Sequence, residues 1–287
     1  MLITIWLAIT LAFFALHLLP SNVIDTQLQG SGLPQTVIDA RKASLGYDKP
    51  ILLQYINYLG DFLLGDWGQS LYTGQTVAEA INNRLQSTTI LASYSIVLSI
   101  FLGIIFGITA GIKSKISFLA RFIIDLSIGI PIYVTATVLL FLIASRIGNI
   151  QGGLLLPMIA LGFHTSGAIA RIIETNLQDI QTASFIQTAR AKGLTNTLII
   201  YRHMLKIALL PTIPIIALQA GVLFSGTVII ETIFSRAGLG LLLLDATLQR
   251  DYPIVQGIVV LIVIIYIVIN TLSDILTQLL DPRLSIS

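Results

Sequence analysis

The stretch Gln187-Thr188-Ala189-Arg190-Ala191-Lys192-Gly193-Leu194 is a polar, basic segment in a chain that is otherwise mostly apolar. Gly193 suits the position just beyond a helix end, where a left-handed backbone costs little to a residue without Cβ. The cations of the stretch lie in the preceding turn, where positive charge complements the carboxyl end of a helix. Thr195 or Asn196 can cap a second helix that runs toward Pro211. The stretch therefore predicts a helix, a glycine turn and a helix, although composition alone also fits a solvated loop between two membrane spans.

The composition of the whole chain indicates a membrane protein. Its 287 residues have a mean hydropathy of +0.90, and 55% of them are hydrophobic while only 10% are charged. Few soluble domains cover so much apolar surface with so few charges, whereas a bilayer is itself an apolar solvent. We therefore expect one integral membrane domain. The net charge of +2 is too small to indicate nucleic-acid binding, and the absence of cysteine excludes disulfides and thiol catalysis.

Six apolar stretches approach the length that a membrane-spanning helix needs. A bilayer core of about 30 Å requires roughly 20 helical residues. In lipid, a continuous apolar run satisfies its own backbone hydrogen bonds as a helix, and none of these runs shows the period of two of a barrel strand. The predicted spans are 2–19, 88–112, 122–145, 153–170, 207–230 and 254–272.

Prolines mark the ends and bends of several spans. Pro20 ends the first stretch, which lacks the basic start and the small-residue cleavage site of a signal peptide. Pro131 lies inside the third span and predicts a kink there. Pro157 lies within the fourth span, and Pro211 and Pro214 lie near the start of the fifth.

The chain divides by polarity into four parts. Residues 1–20 form the first span, and the polar residues 21–86 form a segment outside the membrane that ends in a short amphipathic helix at 77–85. Residues 87–280 hold five further spans and a polar loop at 172–206, and residues 281–287 form a tail. Basic residues outnumber acidic ones in the loops on the side of the basic segment. The positive-inside rule therefore places that side, the N-terminus and the tail in the cytoplasm.

The basic segment carries a family resemblance. Thr188-Ala189-Arg190-Ala191-Lys192-Gly193-Leu194, followed by Arg202-His203 and Leu209-Leu210-Pro211, resembles the cytoplasmic loop of ABC importer permeases, most closely the dipeptide, oligopeptide and nickel branch. The likeness covers nearly the whole chain, including 45–50, 65–70, 231–240, 250–253 and 270–274. It implies an all-α integral membrane protein with the type-1 ABC importer permease fold: six transmembrane helices and an extracytoplasmic segment after the first.

The resemblance also implies a function and a site. The chain would be the permease subunit of an ATP-driven importer of peptides or of nickel or other metal chelates, in the cytoplasmic (inner) membrane of a bacterium. In that family the loop forms a short coupling helix that docks on a separate ATPase subunit. The residues assigned to this contact are Ala183, Ser184, Phe185, Thr188, Ala189, Arg190, Ala191, Lys192 and Gly193. An acidic residue is usual at the place of Ser184, which predicts a weaker charge contact there.

The resemblance implies partners, and the sequence lacks the motifs of an enzyme. Expected partners are a second related permease, two ATPase subunits, an extracytoplasmic solute-binding protein and membrane lipid, without nucleic acid. No Gly-x-x-x-x-Gly-Lys-Ser/Thr phosphate loop occurs, so we expect ATP and Mg²⁺ in the partner ATPase and no cofactor in this chain. The three histidines are too scattered for a metal-binding helix, and no nucleophile elbow is present, so we expect neither a metal site nor catalytic residues.

Three details remain open between alternatives. Asp125 follows Arg121 by one helical turn, and we expect a structural ion pair between them rather than a transport site. Glu231 belongs either to an external gate region, as the resemblance implies, or to a solvated helix end. Gly103 and Gly107, extended by Gly111, predict a close helix-packing face, either within this chain or against a partner subunit.

Two other function classes are weighed against the importer. A secondary transporter driven by an ion gradient predicts inverted repeats and ionisable residues at the membrane midplane. An intramembrane enzyme predicts a catalytic constellation. The sequence shows none of these features, so both classes remain alternatives of lower rank.

Overall fold

The computed structural model describes residues 2–17, 34–44, 46, 48–112, 115–147 and 153–280. The predicted tail at 281–287 lies outside these residues. Within the described ranges the chain is almost entirely helical, and its one extended pairing is an isolated antiparallel bridge between Gln69 and Thr76. The helices are α1 Leu2–His17, α2 Gln35–Ser44, α3 Ile51–Leu63, α4 Val77–Gly111, α5 Ser117–Gly129, α6 Ile132–Ile147, α7 Leu155–Ile180, α8 Ser184–Ala191, α9 Asn196–Leu209, α10 Thr212–Ile233, α11 Leu239–Leu248 and α12 Tyr252–Leu280.

The apolar helices account for the predicted spans. By length and composition, α4, α7 and α12 are each able to cross a membrane. Helices α5 and α6 form a pair bent by 104°, and α9 and α10 form a pair bent by 54°. If each pair is one span, the described helices supply five, and α1 is a shorter apolar helix of 16 residues. The all-α membrane architecture predicted from the sequence is confirmed.

The predicted kink at Pro131 is a full break between α5 and α6. Pro131 has no N–H to donate, and its ring collides with the backbone of a continuing helix. The residue before a proline is also pushed out of the helical region. Ile130 accordingly adopts φ −87° and ψ 124° and caps α5 in an extended conformation. The bend is therefore much larger than an ordinary proline kink.

Two predicted boundaries differ from the structure. The amphipathic stretch at 77–85 and the span at 88–112 form one helix of 35 residues, α4. No glycine or proline interrupts the sequence between Val77 and Gly103, so the backbone hydrogen bonds continue where the hydropathy changes. For the same reason α7 continues past the apolar stretch that ends at Ala170 and reaches Ile180.

The chain forms two compact units. The first comprises Met1–Gln86 and Leu241–Ile267, and the second comprises Ser87–Gly240 and Val268–Ser287. In the first unit α1 packs against α3: the hydroxyls of Thr10 and Tyr55 are 2.7 Å apart, and the rings of Phe13 and Tyr58 are 5.4 Å apart. The described part of the predicted extramembrane segment thus contains helices α2 and α3, of which α3 is attached to α1, and a non-helical stretch at 64–76.

The glycine stripe of α4 packs within the second unit. A Cβ on Gly103 would lie 2.7 Å from the side chain of Ile169, and one on Gly107 would lie 2.7 Å from Ile173 and 2.8 Å from the carbonyl oxygen of Ala170. A Cβ on Gly111 would lie 2.9 Å from Leu177, one further turn along α7. The stripe therefore brings α4 against α7 of the same chain, which decides between the two alternatives left by the sequence.

Candidate functional site

The basic segment forms the short helix α8, which has one buried and one exposed face. Ile186 is fully buried and Ala189 is 7% exposed, and the two are three residues apart on the same side of the helix. Ser184 and Thr188 are exposed on the other side, and Arg190 is exposed in the last turn. The amphipathic pattern indicates that α8 lies on the surface of the unit with a firm attachment beneath it.

The buried face of α8 joins a core that is built by its neighbours. Ile173 and Leu177 of α7, and Ile199 and Met204 of α9, are fully or almost fully buried in the same cluster as Ile186. Burial of an isoleucine side chain contributes about 1.5–3 kcal/mol. A displacement of α8 therefore carries a free-energy cost unless the adjoining ends of α7 and α9 move with it.

The carboxyl end of α8 is closed by a glycine motif. Gly193 adopts φ +78°. Its amide donates to the carbonyl oxygen of Arg190 over 2.9 Å, and the amide of Leu194 donates to that of Ala189 over 3.3 Å. This pair of hydrogen bonds defines the Schellman motif, in which glycine tolerates the left-handed backbone. The predicted glycine turn is confirmed.

Helix α9 begins with the predicted cap and contains an irregular turn. The hydroxyl oxygen of Thr195 accepts a hydrogen bond of 3.4 Å from the amide of Leu198. The stretch Ile199–Met204 is π-helical, and it carries Arg202 and His203. Single π-helical turns are often found at functional sites because they interrupt the regular ladder of backbone hydrogen bonds.

Side-chain amides attach the two ends of the loop to the long helices. Gln181, just beyond α7, donates from Nε2 to the carbonyl oxygen of Gly111 at the end of α4 over 2.8 Å. Asn176 of α7 donates from Nδ2 to the carbonyl oxygen of Ala208 in α9 over 3.0 Å. These bonds satisfy carbonyl groups near helix ends and hold α4, α7 and α9 together beside α8.

A network of four charged side chains joins α5 and α7, and it corrects the predicted Arg121–Asp125 pair. Glu174 of α7 has a side chain that is only 5% exposed. Its carboxylate accepts hydrogen bonds from Nε of Arg121 at 2.7 Å and from Nη1 of Arg171 at 2.9 Å. Arg171 also pairs with Asp125. The ion pairs thus run between α5 and α7 rather than along α5, because Glu174 is more buried and its two oxygens accept from both guanidinium groups.

Glu231 is the second buried carboxylate of this unit, and it is not a solvated helix end. It has no exposed surface. The hydroxyl of Thr88 donates to Oε1 over 2.6 Å, and the amide of Gly240 donates to Oε2 over 2.7 Å. A Cβ on Gly238 would collide with this carboxylate. The Gly238-Leu239-Gly240 sequence is therefore required where the loop before α11 passes over Glu231.

Comparison with known proteins identifies the family. The family model described as the binding-protein-dependent transport system inner membrane component matches residues 99–286. The chain belongs to this family.

Curated relatives agree with the assignment of this transport family, and solved structures share the fold. The nickel import system permease protein NikB of Staphylococcus aureus strain bovine RF122 / ET3-1 is 32% identical, over 99% of this chain and 88% of the relative. The protein of the same name from strain MRSA252 is 31% identical over the same shares. An inward-facing structure of the MetNI methionine ABC transporter superposes with a TM-score of 0.64 at 18% identity, over 71% of this chain and 97% of that chain. A crystal structure of an amino acid ABC transporter with histidines gives a TM-score of 0.55 at 19% identity, over 72% and 94%.

Most of the nine residues predicted to couple this permease to an ATPase are exposed. Ala183 is half-buried at the start of α8, and Ala189 is buried in the core beneath it. The exposed members are Ser184, Phe185, Thr188, Arg190, Ala191, Lys192 and Gly193. The structure therefore presents a continuous surface on α8 and its glycine turn.

Sequence reasoning missed two residues that support this surface in the permease. Ile186 is the buried anchor of α8, and its signal was the apolar pair Ile186 and Ala189 at a spacing of three. Glu174 is the centre of the charged network, and its place at the start of the polar loop 172–206 gave no indication of which cations it would meet. Among the described residues, no group of three or more His, Cys, Asp or Glu side chains is placed to hold a metal ion.

Proposed function

We propose that this chain is the membrane-spanning permease subunit of an ATP-driven importer that moves nickel or other metal chelates, or peptides, across the cytoplasmic membrane. Membership of the binding-protein-dependent transport family supports the importer class. The names of the nickel import relatives, which match along 99% of the chain, favour nickel among these substrates. A solute-binding protein outside the membrane would select the substrate and deliver it.

The observation that carries the proposal is the attachment of an exposed helix to the ends of two membrane helices. Helix α8 offers Ser184, Phe185, Thr188 and the cations around Arg190 to a partner, while Ile186 is fixed between α7 and α9. A force on the exposed face is therefore transmitted to α7 and α9 through a close-packed contact. This is the arrangement that a coupling helix needs.

In the proposed mechanism this chain does no covalent chemistry. Two ATPase subunits would bind ATP and Mg²⁺, and their approach would move α8 of this chain and of a second, related permease. An ATPase that binds one arrangement of α8 better than the other shifts the equilibrium between the two by that difference in affinity. The membrane helices would then open toward the other side and release the substrate.

The proposal orients the chain with α8 and the N-terminus in the cytoplasm. The excess of basic over acidic side chains in the loops on that side supports this orientation. Labelling of a single cysteine introduced at Ser184 by a membrane-impermeant maleimide tests it directly. We expect labelling only after the membrane is opened, and labelling in intact cells would contradict the orientation.

The decisive experiment changes the exposed face of α8 without disturbing its anchor. Arg190→Glu reverses an exposed charge on α8, and Lys115→Glu makes the same reversal at an exposed position outside it. We expect Arg190→Glu to reduce copurification of the ATPase subunit and ATP-dependent uptake of Ni²⁺ by about tenfold, because an acidic group of the ATPase opposite Arg190 would then face a like charge, and tenfold corresponds to about 1.4 kcal/mol. The Lys115→Glu control is expected to retain both.

The same measurements separate the alternatives. Uptake that continues without ATP and without any ATPase, and that is unchanged by Arg190→Glu, would exclude the proposal and favour a secondary transporter. Uptake assays with Ni²⁺, with a nickel–histidine chelate and with a dipeptide decide the substrate. Uptake of the dipeptide alone would support the importer function and exclude nickel as its substrate.

A further inference from the structure

The first unit contains a cavity that the proposed transport function does not use. It is a partly open cavity of about 500 Å³, which is within the range of about 300–1,000 Å³ that small-molecule sites occupy. Its described walls come from α1, the end of α2 and the loop after it, α3, the loop that follows α3, and the first turns of α12. The cavity therefore lies at one end of a membrane-spanning helix, beside the polar segment.

One wall of the cavity holds a polar side chain, Gln256, that has no partner among the described residues. Gln256 lines the cavity and is only 8% exposed, and the described residues give its amide no hydrogen bond. A side-chain amide that borders a cavity pairs with water or with a ligand there. Gln256 offers both a donor and an acceptor to an occupant of the cavity.

Three aromatic residues also line the cavity, Phe13, Tyr58 and Trp67. One face of Trp67 is stacked on Phe62 with centroids 5.2 Å apart, which fixes the orientation of the indole. Burial raises the pKa of Tyr58 to about 12, and its hydroxyl, which is protonated at neutral pH, is a hydrogen-bond donor. The electron-rich faces of such rings attract cations.

The charges that line the cavity are predominantly negative. Asp61 and Asp66 contribute carboxylates, and Lys49 is the single cation among the described lining residues. No ion pair joins Lys49 to either carboxylate in the described structure. Two carboxylates disfavour an anionic ligand. The described residues also offer no cluster of three metal ligands, which disfavours a bare metal ion.

We propose that this cavity binds an organic cation, an ammonium or guanidinium group carried on a small polar molecule, between the aromatic residues, the carboxylates of Asp61 and Asp66, and the amide of Gln256. A free amine and the ammonium headgroup of a lipid share this chemistry. A lipid is a candidate source because the cavity lies at the end of a membrane helix. The site is independent of the coupling surface on α8.

The test uses the fluorescence of Trp67 in the full chain. The sequence has two tryptophans, so Trp6→Phe leaves Trp67 as the sole reporter. The protein is reconstituted in nanodiscs of phosphatidylglycerol and titrated with choline, with argininamide and with the neutral carbon isostere of choline. We expect a saturable change in emission with both cations and none with the isostere.

Three substitutions in the Trp6→Phe background locate the response. Asp61→Asn and Gln256→Leu each remove one recognition element and are expected to weaken binding by about fivefold or more, as loss of a charge partner or hydrogen bond does. Glu79→Gln, an exposed carboxylate of the same unit outside the cavity, is expected to leave binding unchanged. Circular dichroism is used to check that each variant is folded. Because Asp61 is exposed, we expect its substitution to leave the fold intact.

A second series of nanodiscs distinguishes the source of the cation. If the change in emission requires phosphatidylethanolamine in the disc and shows the same dependence on Asp61 and Gln256, the ligand is a lipid headgroup. A response to soluble cations in phosphatidylglycerol alone assigns it to a free amine. An equal response to the neutral isostere, a response that neither substitution weakens, or no response in either series overturns the proposal.

Discussion

Glu174 shows how one buried carboxylate organises its surroundings. It accepts from Arg121 on α5, from Arg171 on its own helix and, at 3.1 Å, from the amide of Gln178. Arg121 also donates to the carbonyl oxygen of Ala110 on α4 over 3.2 Å. Three helices therefore meet at this carboxylate, close to the loop that carries α8. The two guanidinium groups are 47% and 39% exposed, so solvent screens part of their attraction.

Replacement of Glu174 by glutamine should destabilise the permease more than replacement of Asp125 by asparagine. Glu174→Gln leaves two arginines facing a neutral, nearly buried amide. We expect the free energy of unfolding to fall by about 1–3 kcal/mol, a value that allows for solvent screening of the exposed arginines. Asp125 is 64% exposed and makes a surface pair, for which about 0–1 kcal/mol is typical. Thermal unfolding in detergent measures both. Equal effects of the two substitutions would show that Glu174 is not the centre of the network.

A substitution at Gly193 tests the cost of backbone strain without any contribution from steric crowding. A Cβ at this residue would meet nothing within 4 Å, yet its φ is +78°. We expect Gly193→Ala to cost about 1–2 kcal/mol, because an L-residue pays that amount in the left-handed region. Gly129→Ala is the matched control, since it also meets open space but has no positive φ. Similar unfolding temperatures for the two variants would contradict this account of the glycine turn.

At the scale of helices, close approach of α4 and α7 depends on the row of small residues on α4. Gly103, Gly107 and Gly111 recur every four residues and face Ile169, Ile173 and Leu177 of α7, which recur every four residues as well. Membrane helices gain little from the hydrophobic effect among themselves, so van der Waals contact at such faces supplies much of their association. The two helices can carry motion from the α8 loop along their length because they are packed without a gap.

Gly107→Ala should force α4 and α7 apart. The added Cβ would lie 2.7 Å from the Cβ of Ile173 and 2.8 Å from a backbone oxygen, which cannot move as a side-chain end can. Overpacking of this kind typically costs about 1–3 kcal/mol. Gly60→Ala on α3, where a Cβ would meet nothing within 4 Å, is the control. The unfolding temperature is the measurement, and an unchanged value for Gly107→Ala would indicate that the two helices are not in close contact.

At the scale of the whole molecule, the second unit joins an exposed helix, a buried core beneath it and the ends of several long helices. Ile186 is the side chain through which these parts meet. If α8 is a coupling helix, binding of the ATPase depends on its exposed face, while transmission depends on Ile186. The two properties are therefore separable by substitution.

Ile186→Ala should uncouple the permease while leaving the docking surface in place. The substitution opens a cavity beneath α8 and costs about 2–5 kcal/mol of packing, which loosens the helix from α7 and α9. We expect the ATPase to copurify as with the original chain, while substrate uptake per ATP hydrolysed falls. Ile186→Val, which typically costs about 0.5–1.5 kcal/mol, is the control. A loss of copurification equal to that of Arg190→Glu would show that Ile186 acts through the surface itself.

The membrane class, the approximate spans and the helix–glycine–helix shape around Gly193 follow from the amino-acid sequence alone. These features depend on local composition and on the backbone preferences of glycine, proline and capping residues, which act over a few neighbouring positions. The packing of the helices was needed to show that Arg121 meets Glu174 instead of Asp125, that Glu231 is buried under Gly238 and Gly240, and that Ala189 faces the core. Such contacts join different helices and loops, and their partners are chosen by helix packing, which a pattern along one segment does not contain.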